Sequence, residues 1–80
     1  MPKLKRLTAK EILAIFASFD FVLVSQKGSH IKLTRHIAGQ KQILTIPNHT
    51  ELDTGTCKAI FRQASRYINL SELYPHFYND

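Results

Sequence analysis

The stretch FVLVSQKGSHIKLTRHIAGQKQILTIP, residues 21–47, decides the fold. Phe21–Lys27 opens on Phe, Val, Leu and Val, side chains that suit a pleated surface, and turns polar at Ser25. Gly28-Ser29 is a two-residue turn signal. His30–Ile37 then alternates. Ile31, Leu33 and Ile37 fall on one face, with Arg35 as the exception there, and His30, Lys32, Thr34 and His36 fall on the other. A second turn is expected over Ala38–Lys41, around Gly39. A third strand is expected over Gln42–Ile46, stopped by Pro47, which has no N–H for a ladder.

On either side of this stretch the hydrophobic period changes from two to that of a helix. Upstream, Thr8 and Glu11 have the spacing of a capping box, and Leu7 and Ile12 that of a hydrophobic staple. Ala9, Ile12, Leu13, Phe16 and Phe19 form one apolar stripe, so a helix is expected over residues 9–18, ending near Ser18–Asp20. Downstream, Asn48–Leu52 is a polar connection, and Asp53 or Thr54 can cap a second helix. Its buried face is Cys57, Ile60, Phe61 and Ala64, with Lys58 and Arg62 one turn apart on the opposite side. A short last helix is expected from Asn69, with Glu72 as capping-box partner, ending at Tyr74 because Pro75 follows. The tail Pro75–Asp80 either docks on the body or contacts a partner. The order is α-β-β-β-α with a short extra C-terminal helix. An α+β fold with a three-stranded antiparallel sheet and helices packed on one face buries both helical stripes.

Eighty residues fit one domain, expected to span residues 1–80, with little room for an internal cofactor cavity. No apolar run approaches the roughly 20 residues of a membrane span, and no signal peptide is read. The single cysteine, Cys57, cannot form an internal bridge, which suits a reducing cytoplasm. Eleven Lys and Arg against six Asp and Glu give a net charge of +5 with His neutral. Such a balance favours a polyanionic partner, whether nucleic acid, an acidic protein or an anionic membrane.

Four histidines and one cysteine lack paired metal-ligand spacing, so neither a metal site nor another cofactor is expected. No carboxylate pair and no phosphate-cradling glycine loop is present. Cys57, on a core face, reads as a buried inert thiol. His30 is the most informative position. It follows the glycine turn, opens a strand on the open face, and has Lys27, Lys32 and Arg35 near it in sequence. A neutral imidazole can take a proton from a ribose 2′-OH or give one to a leaving oxygen, and neighbouring cations can stabilise the anionic transition state. That chemistry is metal-free RNA cleavage. A plain role in the turn explains the position as well, and spacing alone favours it. Lys58 and Arg62 read either as a solvated helix face or as a phosphate-contacting stripe.

Three segments carry a resemblance. QKGSHIKL (Gln26–Leu33), LTIPNH (Leu44–His49) and ELDTGTCKAIFRQA (Glu51–Ala64), in this order and after PKLKRLTAKEIL (Pro2–Leu13), resemble the HicA, or YcfA-like, toxin family. The likeness runs from Pro2 to about Leu73, and it reverses the preference at His30.

The resemblance implies a double-stranded-RNA-binding-domain-like (dsRBD-like) fold, in agreement with the element order read from the residues. It implies the toxin of a type II toxin–antitoxin pair, an endoribonuclease acting on mRNA without a metal. His30 matches the family's catalytic histidine, and Gly28 and Ser29 match its turn residues. Lys27, Lys32, Arg35, Lys58 and Arg62 are the candidate RNA contacts that go with it. The implied partner is a HicB-like antitoxin that masks the active surface. A monomer is expected for the free chain. The alternatives are a non-catalytic module that grips double-stranded RNA and a degenerate toxin kept for antitoxin binding. The sequence departs from the family's usual residues at Asp20 and Ser65, where Gly is common, and at Cys57, where Leu is. A non-glycine residue costs up to about 1 kcal/mol where positive φ is required.

Overall fold

The computed structural model describes residues 2–79. In chain order these form β1 (Lys3–Leu4), α1 (Ala9–Ala17), β2 (Val22–Lys27), β3 (His30–Ile37), β4 (Gln40–Pro47), α2 (Thr54–Ala64), α3 (Leu70–Phe77) and β5 (Tyr78–Asn79). β2, β3 and β4 make an antiparallel sheet in that order. The α-β-β-β-α order is therefore present in an α+β, dsRBD-like arrangement, with α3 as the extra helix.

Local chemistry sets the boundaries. The Thr8 hydroxyl accepts from the Glu11 N–H at 3.1 Å, and the Glu11 carboxylate accepts from the Thr8 N–H at 2.9 Å, which completes the capping box of α1. Asp53, rather than Thr54, caps α2 by accepting from the Thr56 N–H at 2.7 Å. Asn69 caps α3, but its amide oxygen accepts from the N–H and hydroxyl of Ser71, so Glu72 completes no capping box. The β2–β3 turn has Gly28 at φ 55, with positive φ at the first central residue only, as a type II′ hairpin requires. The β3–β4 turn is tighter than expected. Ala38 and Gly39 alone make it, both at positive φ in the I′ pattern, so β4 begins at Gln40. Asp20 does hold positive φ, at 71°, whereas Ser65 sits at φ −65, so only the first of these departures from glycine strains the backbone.

One face of the sheet carries the core. Ile31, Leu33, Leu44 and Ile46 pack there against Ile12 and Phe16 of α1, Cys57, Ile60 and Ala64 of α2, and Leu73 and Phe77 of α3. The tail docks on the body as far as Asn79, with Asp80 outside the described residues: Phe77 is fully buried, its ring 5.4 Å from that of Phe61, and Tyr78 stacks on Tyr74. This packing carries α3 through Pro75 to Phe77, contrary to the expected stop at Tyr74. The N–H that proline lacks would have served Ser71, which is exposed and open to water. β5 then pairs with β1, Lys3 opposite Asn79 and Leu4 opposite Tyr78, a pairing that no periodicity announces in two-residue strands.

Arg35, the charge on the apolar side of β3, sits among acceptors. Its Nε donates to the Gln42 side chain at 2.6 Å, Nη1 to the Phe19 carbonyl at 2.8 Å and Nη2 to the Tyr67 carbonyl at 2.9 Å. Its guanidinium also lies 4.6 Å from the centre of the Phe21 ring. One side chain thereby ties the end of α1, the sheet and the α2–α3 link together.

Two predictions follow from these contacts. Arg35→Ala leaves two backbone carbonyls without a donor and is expected to destabilise the chain by about 3 kcal/mol. Urea unfolding would show a lower midpoint at an unchanged slope, and Arg35→Lys would restore only part because an ammonium lacks the planar fork. The second concerns acid. The Thr56 backbone N–H, then its hydroxyl, hold the Asp53 carboxyl below its usual range, and the Thr8 N–H, then its hydroxyl, do the same for Glu11. A carboxyl lowered by folding stabilises above its unfolded pKa and loses that contribution as pH falls through the folded one. Asp53→Asn with Glu11→Gln should therefore flatten the loss of stability between about pH 6 and about pH 3, measured by urea titration at each pH.

Candidate nucleic-acid interface

The sheet face away from the helices is the open one. β3 contributes His30, Lys32, Thr34 and His36, as the alternation requires. Their cross-strand partners are Lys27, Ser25 and Val22 on β2, and Pro47, Thr45, Ile43 and Lys41 on β4. The openness of this face does not extend to Thr34, which is buried at 3% exposure between Val22 and Ile43 on the strands either side. The charged members of this face are Lys27, Lys32 and Lys41, with the imidazoles of His30 and His36 beside them. None of these paired positions is a carboxylate.

His30 is the first residue of β3 and is exposed. Lys27 stands opposite it across the hairpin, and Lys32 follows two residues along the same face, half-buried. Gly28 holds the turn by its backbone conformation alone, because a side chain there would meet nothing within 4 Å. On the other flank Pro47 faces His30. The ladder runs one residue past β4, where the Asn48 N–H donates to the Ser29 carbonyl at 2.6 Å. The chain then crosses to α1, where the Ala9 N–H donates to the His49 carbonyl at 3.3 Å.

The structure thus brings together His30, Lys27, Lys32, Gly28 and Ser29. It does not bring Arg35 to them. Arg35 lies on the core side of the sheet with its guanidinium committed to protein acceptors. The apolar neighbours Leu33 and Ile37 in the same alternation were the signal that this charge faces inward. Lys58 and Arg62 are exposed on α2, which packs on the helical side of the sheet, away from the open face. Lys41, which spacing did not single out, joins the open face as the partner of His36.

The two outer edges of the sheet differ. On β4 the Gln63 side chain of α2 reads the strand as another strand would: its Oε1 accepts from the Thr45 N–H at 2.9 Å and its Nε2 donates to the Thr45 carbonyl at 3.2 Å. On β2, Val22, Leu23 and Val24 are each more than half exposed, and a bulge interrupts the register with β3 between Leu23 and Ser25. Among the described residues no helix is long and apolar enough to cross a membrane.

No curated protein and no solved structure matches the chain. The profile of the family described as the HicA toxin of bacterial toxin–antitoxin systems matches residues 9–65, from the first turn of α1 to the C-cap of α2. That span holds the whole sheet, the glycine turn and the Gln63 bracket, and the chain therefore belongs to the HicA toxin family.

Proposed function

We propose that the chain is an endoribonuclease toxin that cuts mRNA on the open face of its sheet, with His30 as the proton-transfer group. One observation carries this reading. An exposed imidazole at the mouth of a tight turn stands between two lysines on a face whose cross-strand partners include no carboxylate. The lysines attract the RNA backbone and hold a phosphate, and they lower the energy of the dianionic transition state. His30 accepts the 2′-OH proton, so that the 2′ oxygen attacks the adjacent phosphorus without a metal-bound nucleophile.

Gly28 and Ser29 serve this chemistry by fixing the turn that presents His30, and Lys27 and Lys32 by contacting phosphate. The partner is a HicB-like antitoxin whose acidic surface covers the same cationic face. A cytoplasmic chain acting on mRNA fits a buried, unpaired Cys57. The competing reading, a module that only grips double-stranded RNA, draws on the exposed Lys58 and Arg62 pair of α2.

Labelled single-stranded RNA, incubated with the chain in excess chelator, should be cut to 2′,3′-cyclic phosphate ends. His30→Ala should slow cutting by at least about 10³-fold with unchanged circular dichroism. Equal cutting by both proteins would refute the assignment. Binding separates the two faces. In the His30→Ala background, Lys27→Gln with Lys32→Gln should flatten the salt dependence of single-stranded RNA affinity by about 1.4 logarithmic units, at roughly 0.7 per phosphate contact. Lys58→Gln with Arg62→Gln should leave that slope in place, and the opposite ranking would favour the double-stranded-RNA module.

A further inference from the structure

Cleavage by transesterification needs two proton transfers: one from the attacking 2′-OH and one to the departing 5′ oxygen. The open face supplies His30 for the first and leaves the second without a group beside it, since His36 stands six residues along β3 and an exposed lysine is a poor proton donor to an alkoxide near neutral pH. The next titratable side chain along the strand that faces His30 is His49.

Several contacts fix where it stands. Pro47 is the cross-strand partner of His30, and the Asn48–Ser29 hydrogen bond continues the ladder one step further. His49 follows directly, two residues beyond the cross-strand partner of His30, where the chain leaves the sheet for the start of α1. Two imidazoles rooted at the same end of the sheet can address the two sides of one phosphate. The backbone of His49 is held by the Ala9 N–H, which leaves its side chain free of any structural duty among the described hydrogen bonds. A hollow of about 410 Å³ opens there, lined by Thr8, Ala9, Lys10, Asn48, His49 and Thr50. It adjoins the end of the sheet that carries the glycine turn. Asp53 lies close enough for the charge of His49 to favour its carboxylate, after the larger effect of the Thr56 hydrogen bonds.

We infer that the hollow beside the glycine turn is the leaving-group half of the active site, with His49 as general acid and Lys10 as its phosphate contact. This inference rests on the ribonuclease reading above. In the step, the O2′–P bond forms as His30 takes the 2′ proton. The P–O5′ bond breaks as the His49 imidazolium gives its proton to the 5′ oxygen. The products are a 2′,3′-cyclic phosphate and a 5′-hydroxyl, and solvent restores the proton to His49 and removes the one on His30.

The test uses an RNA whose cut site is mapped with the wild-type chain, beside the same RNA carrying sulfur in place of the 5′ oxygen at that linkage. A thiolate leaves without protonation, so only general-acid variants recover on it. His49→Ala is expected to slow cutting of the oxygen substrate by about 10²–10³-fold and of the sulfur substrate by less than about tenfold. His30→Ala should slow both. Lys10→Ala should raise KM with little change in kcat. His49→Ala that cuts the oxygen RNA within about threefold of wild type, or that is equally slow on both substrates, overturns the general-acid role while the His30 result stands. Failure of the wild-type chain to cut either RNA defeats the ribonuclease reading itself, and this inference falls with it.

Discussion

The guanidinium of Arg35 is the contact on which the arrangement of layers depends. Three donors of one rigid group reach three different parts of the chain: the Gln42 side chain on the neighbouring strand, the Phe19 carbonyl after α1 and the Tyr67 carbonyl after α2. Both carbonyls belong to link residues beyond a helix end, where the helical ladder has stopped. A methylene stem packed beside Phe21 would bury apolar area without choosing an orientation. The planar fork fixes the angle at which both links meet the sheet, because its donors have set directions. Gln63 does the same for α2 against β4 with an amide in place of a guanidinium. The core supplies the driving force, and these two polar side chains supply the register between layers.

The parts of the fold that repeat with a period were legible in the residues. The alternation in His30–Ile37, the stripe from Ala9 to Phe19 and the cap signals at Thr8 and Asn69 each state a geometry within a few residues. What escaped reading depends on partners distant in sequence. Arg35 showed as an exception on an apolar face, but its acceptors are backbone carbonyls that no composition reveals. Pro75 reads as a helix stop by local rules, and the burial of Leu73 and Phe77 overrides it. Gln63 looks like an ordinary polar residue at the edge of a helix until β4 is placed beside it. Nothing about Ala38 in the sequence signals a left-handed backbone, and the second hairpin is shorter than its residues suggest. At the site the same division holds. The glycine turn and its histidine could be read directly, whereas the approach of Asn48 and His49 to that turn needed the register of β3 with β4.

The sheet presents two unlike edges, and the difference bears on where another strand could pair with it. β4 has Gln63 across the outward N–H and carbonyl of Thr45, so another strand meets side chain there. The outer edge of β2 has a bulge and one terminal lysine as its guards, beneath three exposed aliphatic residues. That edge runs into the glycine turn at Lys27, so anything laid along it ends at His30.

The pairing of β1 with β5 places Lys3 beside Asn79. In topological terms the stretch from Lys3 to Asn79 is nearly a ring. A short linker across that gap would close it, and the ring could be reopened between Ala38 and Gly39, at the far end of β3 from His30. The permuted chain would keep every strand pairing except a two-residue turn. The order of elements along the polypeptide is in this sense separable from the surface they build, and a new pair of ends could carry a tether or a dye at the end of the sheet remote from the glycine turn.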